Sequence, residues 1–286
     1  MFLELGEPGD LRTTNLDTDG SVRRQGLGQY FKIDSIDLAD LRNHLQFYSS
    51  VRAMRKCASR LDEREGEGAT CHLLGSGDFH HITLLMLERM ASPFFLIVFD
   101  NHMDSSFAFP KYHCGNWMYH ASSLPLCRKI IHVGSTEGQG VFGRYAARSG
   151  KIEVLEGREC EGFMGLERFK KTLAEARVEG LPVYASVDKD VLERSESPGD
   201  WDNGVMRMSD LSWMLEHVAK SFKVAGADIT GETGGRFRYS KKPVKNLFSY
   251  IEHPSGRAEG AIEADLKQML INFEILDIFG VEHVAS

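Results

Sequence analysis

The chain has 286 residues, 42% of them hydrophobic and 26% charged, and a formal net charge of −7 at pH 7. These proportions are typical of a soluble globular protein, and the absence of a long Lys/Arg block argues against a nucleic-acid partner. No apolar segment is long enough to span a bilayer, so no membrane partner is expected. The N-terminus lacks the pattern of a secretory signal, and the five cysteines are scattered without a CxxC pair, which indicates reduced thiols in a cytoplasmic protein.

The first 70 residues carry the least specific signal. The polar stretch 13–26 predicts a loop, and residues 35–61, with apolar side chains at spacings of three and four and Ser35 as a candidate cap, predict a helix. No linker or internal repeat divides the chain. We therefore predict a single domain over residues 1–286, with residues 1–70 as an N-terminal helical region packed on it.

From residue 69 onward, strand and helix patterns alternate. The predicted strands lie in 69–77, 93–100, 127–135, 145–157, 181–190 and 223–232. The predicted helices are 80–91, 163–180, 209–222 and 263–280. This alternation indicates crossover units and a parallel sheet with helices on both faces, so the predicted fold class is α/β.

Acidic and imidazole side chains follow the predicted strands. Asp100, Asp188 and Asp228 fall at or just past strand ends, and His80 follows the turn after another strand. Because ligands in such sheets bind beyond the carboxyl ends of the strands, these side chains are expected at one edge of the sheet.

Two short motifs provide further candidate ligand groups at that edge. In "DNHMD" the residues Asp100, His102 and Asp104 share one side if the backbone stays extended, and in "DKD" Asp188 and Asp190 do the same. With one imidazole from the His80-His81 pair they provide four carboxylates and two imidazoles. Each motif alone is more often a solvated loop, but together they predict a site for two divalent ions of the manganese type.

The motifs and their order resemble those of the ureohydrolase superfamily, which contains arginase, agmatinase and formimidoylglutamase. "GSGDFHHIT" is similar to the GGDHSIT-like turn, "FDNHMD" to the DAHxD strand end, "SVDKDVLERSESPG" to SxDxDxxDP with its PG segment, and "GADITGE" to a GxDIxE-like ending. The similarity spans roughly residues 71–235.

This resemblance implies a three-layer α/β/α sandwich around a mostly parallel sheet and a hydrolase with two Mn²⁺ per chain, other divalent ions being alternatives. The implied reaction cleaves a linear C–N bond of a guanidino or amidino compound through a metal-bridging hydroxide. The implied partners are a small cationic substrate and further copies of the chain, because family members often form trimers or hexamers.

The resemblance also implies roles for individual residues. The six predicted ligands divide into the bridging pair Asp100 and Asp188, the first-site pair His80 and Asp104, and the second-site pair His102 and Asp190. Asp104 would also hydrogen-bond the bridging hydroxide. His80 is preferred to His81 because "HHIT" then overlays "HSIT".

The substrate-binding residues match the family less well. Glu232 corresponds to the acid that receives the cationic substrate group, but it stands one residue later than in the DIxE pattern, and a loop acid without a substrate role is the alternative. Phe79 replaces the Asp of the family's turn, so the support of the ligand histidine must differ. Glu193 and Arg194 replace the Asp-Pro pair.

The segment "CGNWMYH" resembles the family's SGNLHG, in which the His transfers a proton. That His is not in place here, and His113 and His120 flank the segment as substitutes. Asn116 and Trp117 are the predicted substrate contacts of this segment.

Two other functions stay open. The first is a single-metal deacetylase-like amidohydrolase, which a tandem His pair and an Asp/His strand end also fit, although such a site has no need of Asp104 and Asp190. The second is a metal-binding relative without ureohydrolase activity, because the proton-transfer His is missing.

Overall fold

A computed structural model describes residues 11–65, 68–105, 111–136, 150–233 and 261–284 of the chain. The strands are β1 (Arg12–Asp17), β2 (Ile33–Asp37), β3 (Tyr48–Ser49), β4 (Thr70–Gly75), β5 (Phe94–Phe99), β6 (Tyr112–His113), β7 (Cys127–Ser135), β8 (Ile152–Glu156), β9 (Val183–Asp188) and β10 (Val224–Thr230). Eight of them form one sheet in the order β2-β1-β4-β10-β9-β5-β7-β8. Every neighbouring pair in it is parallel. β3 and β6 form a separate antiparallel pair.

Helices cover both faces of the sheet. They are α1 (Ser21–Arg24), α2 (Arg42–Leu45), α3 (Val51–Arg64), α4 (Thr83–Leu87), α5 (Trp117–Ser122), α6 (Gly162–Thr172), α7 (Ala174–Glu179), α8 (Met208–Ser221) and α9 (Ala261–Ile278). One hydrophobic cluster joins the sheet to α6, α8 and α9, and the other joins it to α3, α4 and α5. The fold is therefore the predicted three-layer α/β/α sandwich.

Strand β5 shows why the sheet lies in the middle layer. Its six residues are all buried, and they alternate between the two clusters, so that Phe95 packs on one face and Leu96 on the other. Burial of each such side chain stabilises the fold by about 1.5–3 kcal/mol relative to exposure. The continuous apolar run therefore fixes the backbone immediately before Asp100.

The prediction of a loop over residues 13–26 is wrong. Residues 12–17 form β1, an inner strand between β2 and β4, and α1 follows it. The sequence did not indicate a strand because four of its five buried residues are polar: Thr13, Thr14, Asn15 and Asp17. The side chain of Asn15 donates a hydrogen bond to Ser35 Oγ on β2 at 3.3 Å.

The single helix predicted over residues 35–61 is also wrong. Ser35 lies in β2, and the long helix α3 begins only at Val51, capped by Ser50, whose Oγ accepts a hydrogen bond from the N–H of Ala53 at 3.2 Å. Phe47 interrupts the segment with a φ of +61°, a conformation that no right-handed helix contains. The apolar spacing that suggested one helix instead spans the end of β2, then α2, β3 and most of α3.

Several smaller expectations can be compared with the structure. The helix predicted over 80–91 is a 3₁₀ helix, Gly77–Ile82, followed by the short α4, and the helix predicted over 163–180 divides at Leu173 into α6 and α7. All five cysteines are buried free thiols, as predicted. Among the described residues, no helix has the length and apolar character that a membrane crossing requires.

Candidate metal centre

The predicted ligands lie at the carboxyl edge of four adjacent strands, β4, β10, β9 and β5. The ends of these strands are level, because Thr230 of β10 pairs with Asp188 of β9 on one side and with Gly75 of β4 on the other. Asp100 follows β5, Asp188 is the last residue of β9, and His80 lies on the 3₁₀ helix after β4. Residues more than 100 positions apart therefore meet at one point.

The first group of ligand atoms surrounds the imidazole of His80. Its Nδ1 lies 3.3 Å from Asp100 Oδ2, 3.3 Å from Asp104 Oδ2 and 3.4 Å from Asp188 Oδ2. His80, Asp100 and Asp188 are all buried, and each offers a ligand atom within 4.8 Å of the others. This geometry can hold one metal ion.

The second group lies beside the first. Asp100, His102 and Asp190 offer ligand atoms within 4.8 Å of one another, and His102 Nδ1 is 2.8 Å from Asp190 Oδ2. Asp100 belongs to both groups, so one carboxylate stands between two candidate ion positions.

The backbone of "DNHMD" has a different conformation from the extended one that was predicted. Residues 100–105 lie outside the strand, and the N–H of His102 donates to Asp100 Oδ1 at 2.6 Å. Asp104 has a φ of +38°, which is unfavourable for a residue with a side chain. The expectation of an extended segment is wrong, and a tight turn brings the three side chains together instead.

Two polar atoms at the centre of the site test whether a metal fits. His80 Nδ1 and Asp100 Oδ2 are both buried, and neither makes a hydrogen bond to another described residue. A buried polar atom without a partner is costly, and coordination of an ion would satisfy both atoms. Carboxylates with imidazole suit Mn²⁺ and similar ions better than thiophilic metals.

The charges of the site are strongly perturbed in the absence of an ion. Burial and the negative charge of Asp100 raise the pKa of Asp104 to about 7 and that of Asp190 to about 6. Burial, followed by the charge of Asp190, raises the pKa of Asp188 well above its ordinary value. Burial alone would lower the pKa of His102, but the charge of Asp190 and the hydrogen bonds that His102 makes to the carboxylates outweigh it and raise that pKa. The site therefore holds more protons than isolated side chains would at neutral pH.

Hydrogen bonds on the side away from the carboxylates fix the orientation of the His80 ring. Its Nε2 lies 2.9 Å from Ser186 Oγ, and Ser186 donates to Asp228 Oδ1 at 2.7 Å. Tyr184 donates to the other oxygen of Asp228 at 2.9 Å. Because the Ser186 hydroxyl proton is directed at Asp228, its oxygen accepts from His80 Nε2–H, which leaves Nδ1 as the nitrogen that faces the carboxylates.

These contacts answer two points that the sequence left open. Asp228 lies inside β10 rather than at its end, and it supports His80 in place of the turn Asp that Phe79 replaces. Phe79 packs in the core. His81 Nε2 lies 2.6 Å from Ser49 Oγ, so it is His80 that faces the carboxylates.

Comparison with known proteins agrees with this geometry. The model of the Arginase family matches residues 8–231. This chain belongs to the arginase family. An agmatinase of Bacillus anthracis is 29% identical over 166 residues, which cover 54% of this chain and 53% of that protein. An uncharacterized protein of Thermotoga maritima is 30% identical over 159 residues, 56% of each chain. The chain thus spans little more than half the length of these two relatives.

The fold is shared over almost the whole chain. The crystal structure of formimidoylglutamase from Bacillus subtilis superposes with a TM-score of 0.64 at 14% identity, covering 98% of this chain and 90% of that one. At 14% identity this likeness shows the shared fold alone.

The two predicted substrate contacts of the segment 114–117, Asn116 and Trp117, are buried and bonded within the protein. Asn116 is 1% exposed, and its Oδ1 accepts from the N–H of His113 at 2.8 Å. Trp117 is fully buried, its ring centroid lies 4.6 Å from that of His80, and its Nε1 donates to Asp104 Oδ2 at 2.7 Å. Asn116 organises the loop, and Trp117 supports two predicted metal ligands.

Glu232 also differs from its predicted role. Its side chain is buried, and both carboxylate oxygens are bonded, to Lys189, Asn272 and Gln25. The structure therefore places it in an internal ion pair.

The two histidines considered for proton transfer occupy different surroundings. Gly115 lies between His113 and Asp104, since a Cβ at this glycine would be 3.2 Å from His113 Nδ1 and 4.0 Å from Asp104 Oδ1. His120 lies on α5 with its ring centroid 5.5 Å from those of Tyr112 and Tyr119. His113 is thus in the neighbourhood of a predicted ligand, whereas His120 packs against two tyrosines.

Sequence reasoning missed Trp201. Its ring centroid lies 5.6 Å from that of His102, and its Nε1 donates to Asp78 at 3.2 Å. The only signal for it in the sequence was its position, because it lies three residues after Pro198 in the PG segment, and a turn does not require an aromatic residue there.

Replacement of Trp117 by Phe should weaken metal binding about 10- to 100-fold, because the ring still packs on His80 but no longer donates to Asp104. Titration of the metal-free variant with Mn²⁺ by calorimetry measures this change. Trp213→Phe, at a partly exposed position on α8, is the matched control and should bind as the wild type does. Equal affinity of the two variants would show that the indole does not position Asp104.

Proposed function

We propose that this chain is a binuclear, manganese-dependent hydrolase that cleaves a linear C–N bond in a guanidino or amidino compound. The observation that carries the proposal is the position of Asp100, which belongs to two adjacent ligand groups, each completed by one imidazole and a further carboxylate. A single-metal site has no use for the second group, formed with His102 and Asp190, so the deacetylase-like alternative is disfavoured.

The charge of the site supports two ions rather than one. Four aspartates, at positions 100, 104, 188 and 190, converge in a nearly dry environment, where unpaired negative charges are costly. Two divalent cations would supply four positive charges and balance them. When bound, such ions lower the pKa of a water molecule to about 7 and so supply a hydroxide nucleophile at neutral pH.

The side chains would coordinate the ions and transfer protons. His80 and Asp104 would complete the first position and His102 and Asp190 the second, with Asp100 and Asp188 shared. Asp104, a largely buried carboxylate beside the shared ligands, would accept a hydrogen bond from the attacking water. We assign proton delivery to the leaving amine to His113 rather than to His120, because only His113 lies near Asp104.

Metal analysis and a substrate screen together test this function. The purified protein should contain about two manganese ions per chain after loading, and it should release urea from guanidino compounds or formamide from formimino compounds. One zinc per chain with acetate release would support the single-metal amidohydrolase instead. Specific metal binding without any release of urea, formamide or acetate would show a relative that has lost the reaction.

A further inference from the structure

Lys189 stands between two predicted metal ligands, Asp188 and Asp190, and its side chain is 0% exposed. Residues Lys189–Val191 form a 3₁₀ helix that begins directly after Asp188, and the side chain of Lys189 bonds to residues other than the predicted ligands. Lys189 Nζ forms an ion pair with Glu232 Oε1 and donates to Asn272 Oδ1 at 3.0 Å. The turn that carries two ligands is thereby tied to residues outside the site.

The partner carboxylate has no free oxygen. Asn272 Nδ2 donates to Glu232 Oε1 at 2.7 Å, and Gln25 Nε2 donates to Oε2 at 2.5 Å. Asn272 also donates to Gln25 Oε1 at 2.8 Å, which closes the network. These four buried residues, called here the Lys189 clamp, come from the end of α1, the ligand turn, the segment after β10, and α9.

The backbone explains why Glu232 points into the clamp. The acid of the DIxE pattern would fall at position 231, which is Gly with a φ of +89°. A Cβ at Gly231 would collide with Asp188 Oδ1, so that position has no room for an acidic side chain. The acid stands one residue later, outside β10, where its carboxylate bonds to Lys189, Asn272 and Gln25.

We propose that the Lys189 clamp positions the ligand turn Asp188–Asp190 and that Glu232 does not receive the substrate. A substrate cation that paired with Glu232 would have to displace Lys189 and leave its ammonium buried without a partner. That cost corresponds to about a hundredfold in affinity or more. Lys189 thus supplies from within the chain the positive charge that the resemblance assigns to the substrate, and recognition of the substrate depends on other residues.

Three variants test the clamp: Lys189→Met, Glu232→Gln and the double variant. We expect each single variant to weaken Mn²⁺ binding about tenfold or more and to lower the thermal midpoint by about 10 °C. The double variant should recover part of both losses, because it removes the two charges together. The same substitutions in the exposed pair of α8, Lys220→Met and Glu216→Gln, are the control and should change neither quantity.

The Michaelis constant separates the clamp from a substrate receptor. At saturating Mn²⁺, Glu232→Gln should change the KM for the guanidino compound turned over best by less than about threefold. An unaltered Mn²⁺ affinity and thermal midpoint with a KM raised more than tenfold would overturn the inference and restore Glu232 as the receptor. This last comparison rests on the proposed function, whereas Mn²⁺ calorimetry and thermal unfolding do not.

A milder variant keeps the test decisive if Lys189→Met does not fold. Gln25→Ala preserves the ion pair and removes one donor to Glu232, so Mn²⁺ binding should weaken severalfold and the thermal midpoint should fall by a few degrees. Wild-type Mn²⁺ affinity and thermal midpoint for both Gln25→Ala and Glu232→Gln would refute the clamp. If the wild type binds Mn²⁺ but hydrolyses no guanidino compound, the proposed function fails while the calorimetric comparison still decides this inference.

Discussion

Replacement of Asp100 by alanine should abolish binding of both proposed ions and lower the rate of hydrolysis more than about 10³-fold. Asp100 is the one carboxylate present in both ligand groups, so its loss leaves each group with a single carboxylate and an imidazole. Without bound ions, water keeps its ordinary pKa of about 15.7 instead of about 7. Asp188 is the other carboxylate proposed to be shared, so its loss is expected to affect both positions as well.

Metal content per chain and the rate of urea release measure this prediction. Asp188→Ala is the informative companion: it should give the same double loss if Asp188 bridges, and loss of only the His80 position if it does not. Asp62→Ala, at an exposed residue paired with Arg89, is the control. An Asp100→Ala protein that retained two manganese ions would show that the shared position is wrong.

Removal of the metal should destabilise the protein, and the loss should increase with pH. Two sites at a hundredfold excess of ion over the dissociation constant contribute about 5 kcal/mol, which corresponds to about 10–20 °C in the thermal midpoint. Chelation of the loaded protein at pH 8 should therefore lower the midpoint by about this amount. A much smaller difference is expected at pH 5.

The direction follows from the raised pKa values of the metal-free site. The carboxyls of Asp104 and Asp190 have folded pKa values of about 7 and about 6, above the unfolded value of about 3.9. A group raised in this way stabilises the fold fully below its unfolded pKa, and that contribution is lost as the pH rises through the folded pKa. His80 and His102, whose pKa values are also raised, act in the same direction. The metal-free protein should thus lose stability between about pH 4 and pH 7.

The loaded protein should behave in the opposite way. Ion binding requires deprotonated ligands, so each proton that it displaces raises the apparent affinity about tenfold per pH unit. Thermal scans of loaded and chelated protein at pH 5, 6, 7 and 8, in a buffer of constant ionic strength, measure both trends. Parallel curves for the two forms would contradict the assignment of Asp104 and Asp190 as ligands.

The sequence predicted those parts of the fold in which local pattern and tertiary environment agree. Strand β5 is apolar at every position because both of its faces are covered, and that run identifies a central strand without any structure. β1 carries the opposite pattern: most of its buried residues are polar, and Asn15 bonds to Ser35 of β2, so an inner strand resembles a loop in the sequence. The interruption of the predicted helix at Phe47 results from a positive φ, and the spacing of apolar residues gives no information on that angle.

The sequence by itself determined which side chains supply the candidate site, because Asp and His at the ends of parallel strands can only gather at one edge of the sheet. It also determined the family, through the order of the motifs. Only the tertiary structure decided where each side chain points. Glu232 lies one residue after the position of the acid in the DIxE pattern, and its carboxylate pairs with Lys189. The buried indole of Trp117 donates a hydrogen bond to Asp104. Orientation depends on contacts between segments far apart in the chain, and such contacts exist only after folding.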